Sequence, residues 1–289
     1  MSKKTKRFLD TSVARPIILG SSFYREYFET AFEGSELYTS KFVQMEFRRS
    51  YVVAAIEFYF LLEMDTIPTI GDAFAIWSDK FQSGKLKAIL QLTSPLFSAH
   101  KLDFTDPADK PKALTALGAL IKRYEHKLWK YKDVGINTPR CARSTIAITT
   151  NGGLKKDLKR FIDLFQDTKG CRSKCTIDKF LLSRYRAKVD RYIQSATQLT
   201  TNEGTKGFKK IANNLQLIVS KDGRNCTCKM CEKIGDAIIT LDSPESMSLE
   251  HTDLSFNQLC DLIGKKHQHH PSQPTVVKTR LLGAKKADK

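Results

Sequence analysis

Apolar and polar positions along this chain alternate in blocks that predict strands and helices in turn. Arg7 to Val13 is a short apolar run, read as a buried strand with Asp10 at its C-terminal end. A helical, aromatic-rich stretch follows from about Ile17 to Phe32, and after the Gly34-Ser35 turn Leu37 to Ser40 reads as a brief strand. Ser40 is placed to cap the helix behind it, expected from about Lys41 to Glu63. One side of that helix is strongly apolar (Val52, Val53, Ile56, Phe60), and Glu46 points elsewhere from its second turn.

From Asp65 to Lys221 the pattern is helical throughout. Ala113 to Lys132 sets Leu117, Leu120, Ile121, Tyr124, Leu128 and Tyr131 on one face, and Ile177, Leu181, Tyr185, Val189 and Tyr192 repeat the design. The mixed pattern then returns. Asp236 sits in an apolar run (Ile234, Ala237, Ile238, Ile239, Leu241) that reads as a helix or a fully buried segment. Ser248 to Thr252 is strand-like, Asp253 follows it, and Leu254 to Ile263 is helical in pattern. The remainder, residues 265–289, is rich in Lys, Pro and Gln and is expected to be a flexible tail, with His267, His269 and His270 in solvent. The expected class is therefore α/β, a parallel sheet flanked by helices. In such sheets ligands bind at the C-terminal edge of the strands.

Charge divides the chain unevenly. The net charge is +17, which points to an anionic partner, nucleic acid first and an acidic membrane surface second. Residues 65–221 hold 29 Lys and Arg against 14 Asp and Glu, residues 1–64 hold 9 against 8, and residues 222–289 hold 10 against 9. The excess thus falls in the helical middle, read as a phosphate-gripping surface. Lys122, Arg123, Lys127 and Lys130 lie mostly off the apolar face of one helix, and Arg184, Arg186, Lys188 and Arg191 cover another. No opening stretch reads as a signal peptide and no apolar run approaches membrane-span length, so a soluble, cytoplasmic protein with no membrane partner is expected.

The acidic residues carry the candidate chemistry. An ionised carboxylate beside apolar surface is costly unless something pairs with it, and a hard divalent cation is a natural partner for several at once. Asp10 at a strand end, Glu46 and Asp236 on helices and Asp253 at a later strand end fall in that order. The segments FLDTSV (8–13), SKFVQMEFRRS (40–50), GDAII (235–239) and HTDLSF (251–256), followed by LCDLIG (259–264), resemble the PIN-domain nucleases. That resemblance covers about residues 1–64 and 222–264 and makes residues 65–221 a basic helical insertion. It implies a PIN-like parallel sheet and a cleft in which Asp10, Glu46, Asp236 and Asp253 hold Mg²⁺ or Mn²⁺. Ser12 matches a small hydroxyl often found two residues after the first Asp, whereas His251 stands where the family often has Thr. The implied activity is phosphodiester hydrolysis, with RNA ahead of DNA as substrate. The alternatives are a structure-specific DNA nuclease, a non-catalytic nucleic-acid-binding module on the same fold, and an insertion that recognises an inhibitor or accessory protein.

Cysteine spacing adds a second metal expectation. Cys171 and Cys175 form one tight group, and Cys226, Cys228 and Cys231 form another just before Asp236. Four thiolates suffice for a structural zinc ion. Cys171, Cys175, Cys228 and Cys231 are the expected set, with Cys226 as a substitute, against a reading as unligated thiols or a disulfide.

Overall fold

The computed structural model describes residues 4–19, 22–80, 83–129, 131–134, 141–148, 153–167, 175–221 and 227–271. Its framework is a sheet of five parallel strands: β1 (Thr5–Leu9), β2 (Ser35–Thr39), β3 (Lys132–Asp133), β4 (Ser248–His251) and β5 (His267–His269), in the spatial order β3-β2-β1-β4-β5. Parallel neighbours need crossover connections, and helices supply them. The helices α1 (Thr11–Leu19) and α2 (Ser22–Ala31) join β1 to β2. The protein is α/β, as the alternating pattern predicts.

The chain forms two compact units. The first comprises Met1–Val43, Tyr131–Ser144 and Thr168–Lys289 and holds all five strands; the second comprises Gln44–Lys130 and Thr145–Asp167. The boundary at Val43 falls inside helix α3 (Lys41–Phe47). These divisions differ from an insertion over 65–221, because the helices after residue 177 belong with the sheet. The charge balance changes accordingly. The first unit carries 32 Lys and Arg against 18 Asp and Glu, a net +14, and the second 16 against 13, a net +3. The basic excess therefore shares a unit with the sheet.

In the first unit, register decides which side chains are buried together. Phe8 of β1 lies beside Tyr38 of β2 and Leu249 of β4, and Phe8, Leu9 and Leu249 are fully buried. Each such side chain contributes about 1.5–3 kcal/mol by leaving water. On the opposite pleat, Arg7 Nη1 meets Glu250 Oε1 at 3.0 Å, and Glu250 Oε2 lies 2.7 Å from His270 Nε2. Burial pushes the Glu250 carboxyl upward, but hydrogen bonds from His270 and Ser248 and the charge of Arg7 outweigh it and hold the group below the usual carboxylate range. Residues 267–269 are thus a strand and not part of a mobile tail. Backbone pairing with β4 and the His270–Glu250 contact supply the ordering that a Lys- and Gln-rich composition hides.

Two other expectations shift. The first strand ends at Leu9, not Val13, because Asp10 starts a helix: its carbonyl accepts from Val13 and Ala14 N–H, and its carboxylate accepts from Ser12 N–H at 2.9 Å. The helical run expected from Ile177 is broken. A short helix α9 (Ile177–Lys179) leads into a π-turn (Phe180–Arg184), and α10 (Arg186–Gln198) restarts after Tyr185. Beyond it come α11 (Glu203–Val219), α12 (Cys228–Lys233), α13 (Gly235–Asp242) and α14 (Ser255–Leu262). Among the described residues no helix is long and apolar enough to cross a membrane.

The second unit is helical, built from α4 (Val53–Glu63), α5 (Ile70–Lys80), α6 (Ser83–Ala99), α7 (Lys110–Trp129) and α8 (Leu154–Gln166), with a π-turn (Arg48–Val52) leading into α4. As far as the helix runs, the α7 face is the one its periodicity predicts, with Leu117, Leu120, Ile121, Tyr124 and Leu128 buried. Tyr131, expected on the same face, lies past the helix end at Trp129, where Lys132 and Asp133 pair into the sheet as β3. Gly118 leaves room on this helix for Leu154, whose side chain would overlap a methyl there. Its polar centre is a buried ion pair. Arg48 Nε lies 3.0 Å from both Glu125 carboxylate oxygens, and Nη2 lies 2.7 Å from Oε1. Arg48→Met should cost about 3–5 kcal/mol by stranding Glu125 in a dry site, while adding Glu125→Leu should restore most of the loss. Both tryptophans, Trp77 and Trp129, lie in this unit, so urea unfolding followed by tryptophan fluorescence reads it directly. Equal stability of the single and double variants would contradict this account of the pair.

Candidate functional site

Three of the four acids singled out above are linked through Asp253 beside the C-terminal ends of β1 and β4: its charge acts on Asp10, and it shares the Ser255 hydroxyl with Asp236. Asp10 is the residue after β1, and its N–H donates to Glu250 O at 3.0 Å, extending the β1–β4 ladder by one step. Ser12 then works in two directions. Its N–H holds Asp10 Oδ2, and its Oγ accepts from Thr252 N–H at 3.0 Å, tying the loop after β1 to the loop after β4. Asp253 caps the start of α14, accepting from Ser255 N–H through Oδ1 at 3.0 Å. Asp236 comes from the first turn of α13. Ser255 Oγ lies 2.6 Å from Asp236 Oδ2 and 3.0 Å from Asp253 Oδ1, so two carboxylates share one hydroxyl.

The electrostatics of this corner are costly. Asp10 is buried, and that burial raises its pKa; hydrogen bonds from Ser12 and Thr11 work against the rise, and the negative charge of Asp253 adds to it. Asp236 is half-buried and Asp253 exposed, so the cluster opens to solvent on the Asp253 side. Among the described residues no group of three or more His, Cys, Asp or Glu is already set at metal-holding geometry. The three carboxylates are gathered, with a serine hydroxyl between two of them.

Glu46 belongs to the second unit. It is buried on α3, and its Oε1 lies 3.7 Å from Arg49 Nη2, one helical turn away.

His251 is a residue whose role the sequence pattern does not disclose. Its Nδ1 lies 3.0 Å from Asp253 O, and its Nε2 lies 2.9 Å from His267 Nδ1. A carbonyl only accepts, so Nδ1 carries the proton and Nε2 is the acceptor. Burial, with the neighbouring His267 and His269, pushes the His251 pKa down to about 4, so the ring is neutral at pH 7. His267 continues the chain to Asp261 Oδ1 at 3.0 Å. His251 thus fixes the backbone at Asp253 where a threonine was expected to help by its hydroxyl. The clue in the sequence is the alternation His267-Gln268-His269, a strand period inside an apparently polar tail.

The remaining candidates divide. Lys122 and Arg123 are exposed on α7 and Lys127 is half-buried there, all in the second unit; Lys130 lies outside the described residues. Arg184 and Arg186 are exposed in the first unit, but Arg186 pairs with Asp190, Lys188 with Glu245, and Arg191 Nη1 donates to Leu262 O. Three of these four cations thus already serve the fold. Cys171 and Cys226 lie outside the described residues. Cys228 and Cys231 sit one turn apart on α12, Cys231 buried, and Cys175 is half-buried ahead of α9.

The raised pKa of Asp10 fixes the sign of a pH effect. Between the unfolded value near 3.9 and the higher folded value, the native state binds the extra proton, so stability falls as pH rises through that window and the deficit persists above it. In chelator, Asp10→Asn should therefore melt above wild type at pH 7, and the gap should close below about pH 4. A variant that melts lower at pH 7, or a gap independent of pH, would contradict the assignment.

Comparison with protein-family models, with curated proteins and with solved structures finds no match for this chain, so the site stands on its own geometry.

Proposed function

We propose that this protein is a divalent-metal-dependent nuclease of PIN-like fold, acting on RNA in preference to DNA. The observation that carries the reading is the meeting of Asp10, Asp236 and Asp253 at the C-terminal edge of a parallel sheet. Burial, with the charge of Asp253 beside it, makes Asp10 resist ionisation, and a cation relieves that cost. The donors are hard oxygens, which fits Mg²⁺ or Mn²⁺ and not a soft metal. Asp10, Asp236 and Asp253 would hold the ion; Glu46, the fourth carboxylate that the resemblance implies, belongs to the other unit. Such an ion would supply charge neutralisation for a phosphodiester and would lower the pKa of water so that hydroxide is available as nucleophile near neutral pH.

The chain's own residues do the positioning. Ser12 orients Asp10 through its N–H and, by accepting from Thr252, keeps the two strand-end loops at fixed spacing. Ser255 holds Asp236 and Asp253 to one hydroxyl, and His251 holds the Asp253 backbone. In the reaction, water adds across one P–O bond and the chain is left with one phosphate and one hydroxyl end. The net +14 of this unit favours capture of a polyanion and keeps the acid cluster from repelling it.

The test is cleavage of a mixed panel of RNA and DNA in Mg²⁺ or Mn²⁺ against chelator. Asp10→Asn and Asp236→Asn should each reduce the rate by more than about 100-fold, and Ser255→Ala by about 10–100-fold, as expected of a group that orients ligands. Glu46→Gln belongs in the same series. Cleavage at wild-type rate by either aspartate variant would sink the reading, as would the absence of any divalent-dependent cleavage by the wild type.

A further inference from the structure

Helix α11 has two working sides. Its buried face carries Phe208, Ile211, Leu215 and Ile218, and Phe208 meets Tyr192 of α10 edge-on at 6.3 Å between ring centroids. Next to that face, Gly207 brings the helix against α14: a Cβ there would stand 3.5 Å from the Cβ of Ser255, the residue shared by Asp236 and Asp253. On its other flank the helix carries Lys206, Lys209 and Lys210, spaced i, i+3 and i+4 and so clustered on one strip. Lys206 is roughly 100° around the helix from Gly207, so the lysine strip and the contact with Ser255 lie on adjoining sides of one rod about 10 Å across.

That strip lines a cleft of about 720 Å³ between α10, α11 and α12, with Lys233 completing a set of four lysines. Hydroxyl and amide groups fill the spaces between them (Thr197, Thr201, Asn213, Gln216), and Ile193 and Ala196 contribute apolar floor. None of the lining residues is acidic, and among the described residues no carboxylate pairs with any of the four lysines. Lys209 Nζ donates to Thr201 Oγ1 at 2.8 Å, and Glu232, beside Lys233, is engaged with Arg143 at 3.9 Å. Arg186 and Lys188 on α10 have carboxylate partners, and these four do not. A cleft of this size takes a segment of one chain; a duplex, with a major groove alone about 12 Å wide, does not enter it.

We infer that this cleft is a binding site for the phosphodiester backbone of single-stranded nucleic acid, one helix away from the acid cluster. Lysine ammonium groups meet the phosphates, and the hydroxyl and amide groups meet phosphate and sugar oxygens, contacts that position a strand without reading its bases. Cations that have no carboxylate to leave give up little on meeting a phosphate, and the counterions released from the strand drive the association. That the same strand continues to Asp10, Asp236 and Asp253 for cleavage rests on the nuclease reading above; the cleft itself does not.

The experiment measures binding in chelator by fluorescence anisotropy, with fluorescein-labelled oligouridylate and oligothymidylate as probes. Lys206→Gln with Lys210→Gln removes two exposed charges and should weaken binding about 25-fold at about 0.1 M salt, flattening the slope of log K against log salt by about 1.4. Lys206→Arg with Lys210→Arg should bind as wild type does. Equal losses on both probes assign the contacts to phosphate alone, and a loss on both that is larger for oligouridylate adds a contact to the ribose hydroxyl; both uphold the site. An unchanged slope in the glutamine pair, an equal loss in the arginine pair, or a loss seen only on phosphatidylserine vesicles overturns it. Because no cleavage is read, wild type that binds through these lysines but cuts nothing refutes the nuclease reading alone. Cleavage with unaltered affinity in the glutamine pair refutes the cleft alone.

Discussion

The fold hangs on β1 being paired along both edges. Thr5–Phe8 pair with β2 on one side and Arg7–Leu9 with β4 on the other, and the two neighbours lie far apart in the chain. A central parallel strand has no solvent-facing edge, so its apolar side chains and its backbone groups are satisfied together or not at all. The position of Asp10 follows from this. As the first residue beyond a strand locked on both sides, with its own N–H still donating to Glu250 O, it has almost no freedom to move away from the acids around it. Ser12, Ser255 and His251 then add short constraints, each spanning a few ångströms, to a frame already set by the ladder.

Opposite charges are arranged at two ranges in this unit. At short range, Asp253 acts on Asp10 by its charge and shares the Ser255 hydroxyl with Asp236, and burial makes Asp10 resist ionisation. At longer distance the same unit is strongly basic, and a lysine-lined cleft lies on the flank of the helix that touches the corner through Gly207. With a screening length near 8 Å at physiological salt, lysines one helix away bias the local ionic atmosphere without pairing directly with the carboxylates. Anion capture and cation holding can therefore coexist on one small domain.

Much of this was legible in residue patterns. The strand-end positions of Asp10 and Asp253 and the helical setting of Asp236 follow from short apolar runs and their flanking residues, because strand and helix periods are local properties. The α7 face could be named residue by residue for the same reason. What the pattern could not give is partnership. The Arg186–Asp190 pair is local, one turn along a helix, but nothing local distinguishes Lys188 and Arg191, which bond to Glu245 and to Leu262 O, from Lys206 and Lys210, which line an acid-free cleft. The tail misled for a related reason. His267 and His269 look like solvated polar residues until β4 is beside them, whereupon His251 and Glu250 give them and His270 partners. Glu46 shows a third limit: its helix was read correctly, but contact division assigns it to the other unit.

The pairing of Arg7 with Glu250 spans 243 residues and that of Ser12 with Thr252 spans 240, so the ties that bring β1 to the later acids are long-range, whereas Ser255 reaches Asp236 across only 19. Contacts of such separation form late, after the intervening chain has been closed into a loop. On a ribosome, synthesis runs from the N-terminus, so β1 and Asp10 exist for most of translation with β4, Asp253 and Ser255 not yet made. The half-built sheet then has an open edge on β1 and a lone aspartate at its end, incapable of gathering a carboxylate cluster. Topology thus acts as a timer: the site comes into being only after the chain through Ser255 has left the ribosome.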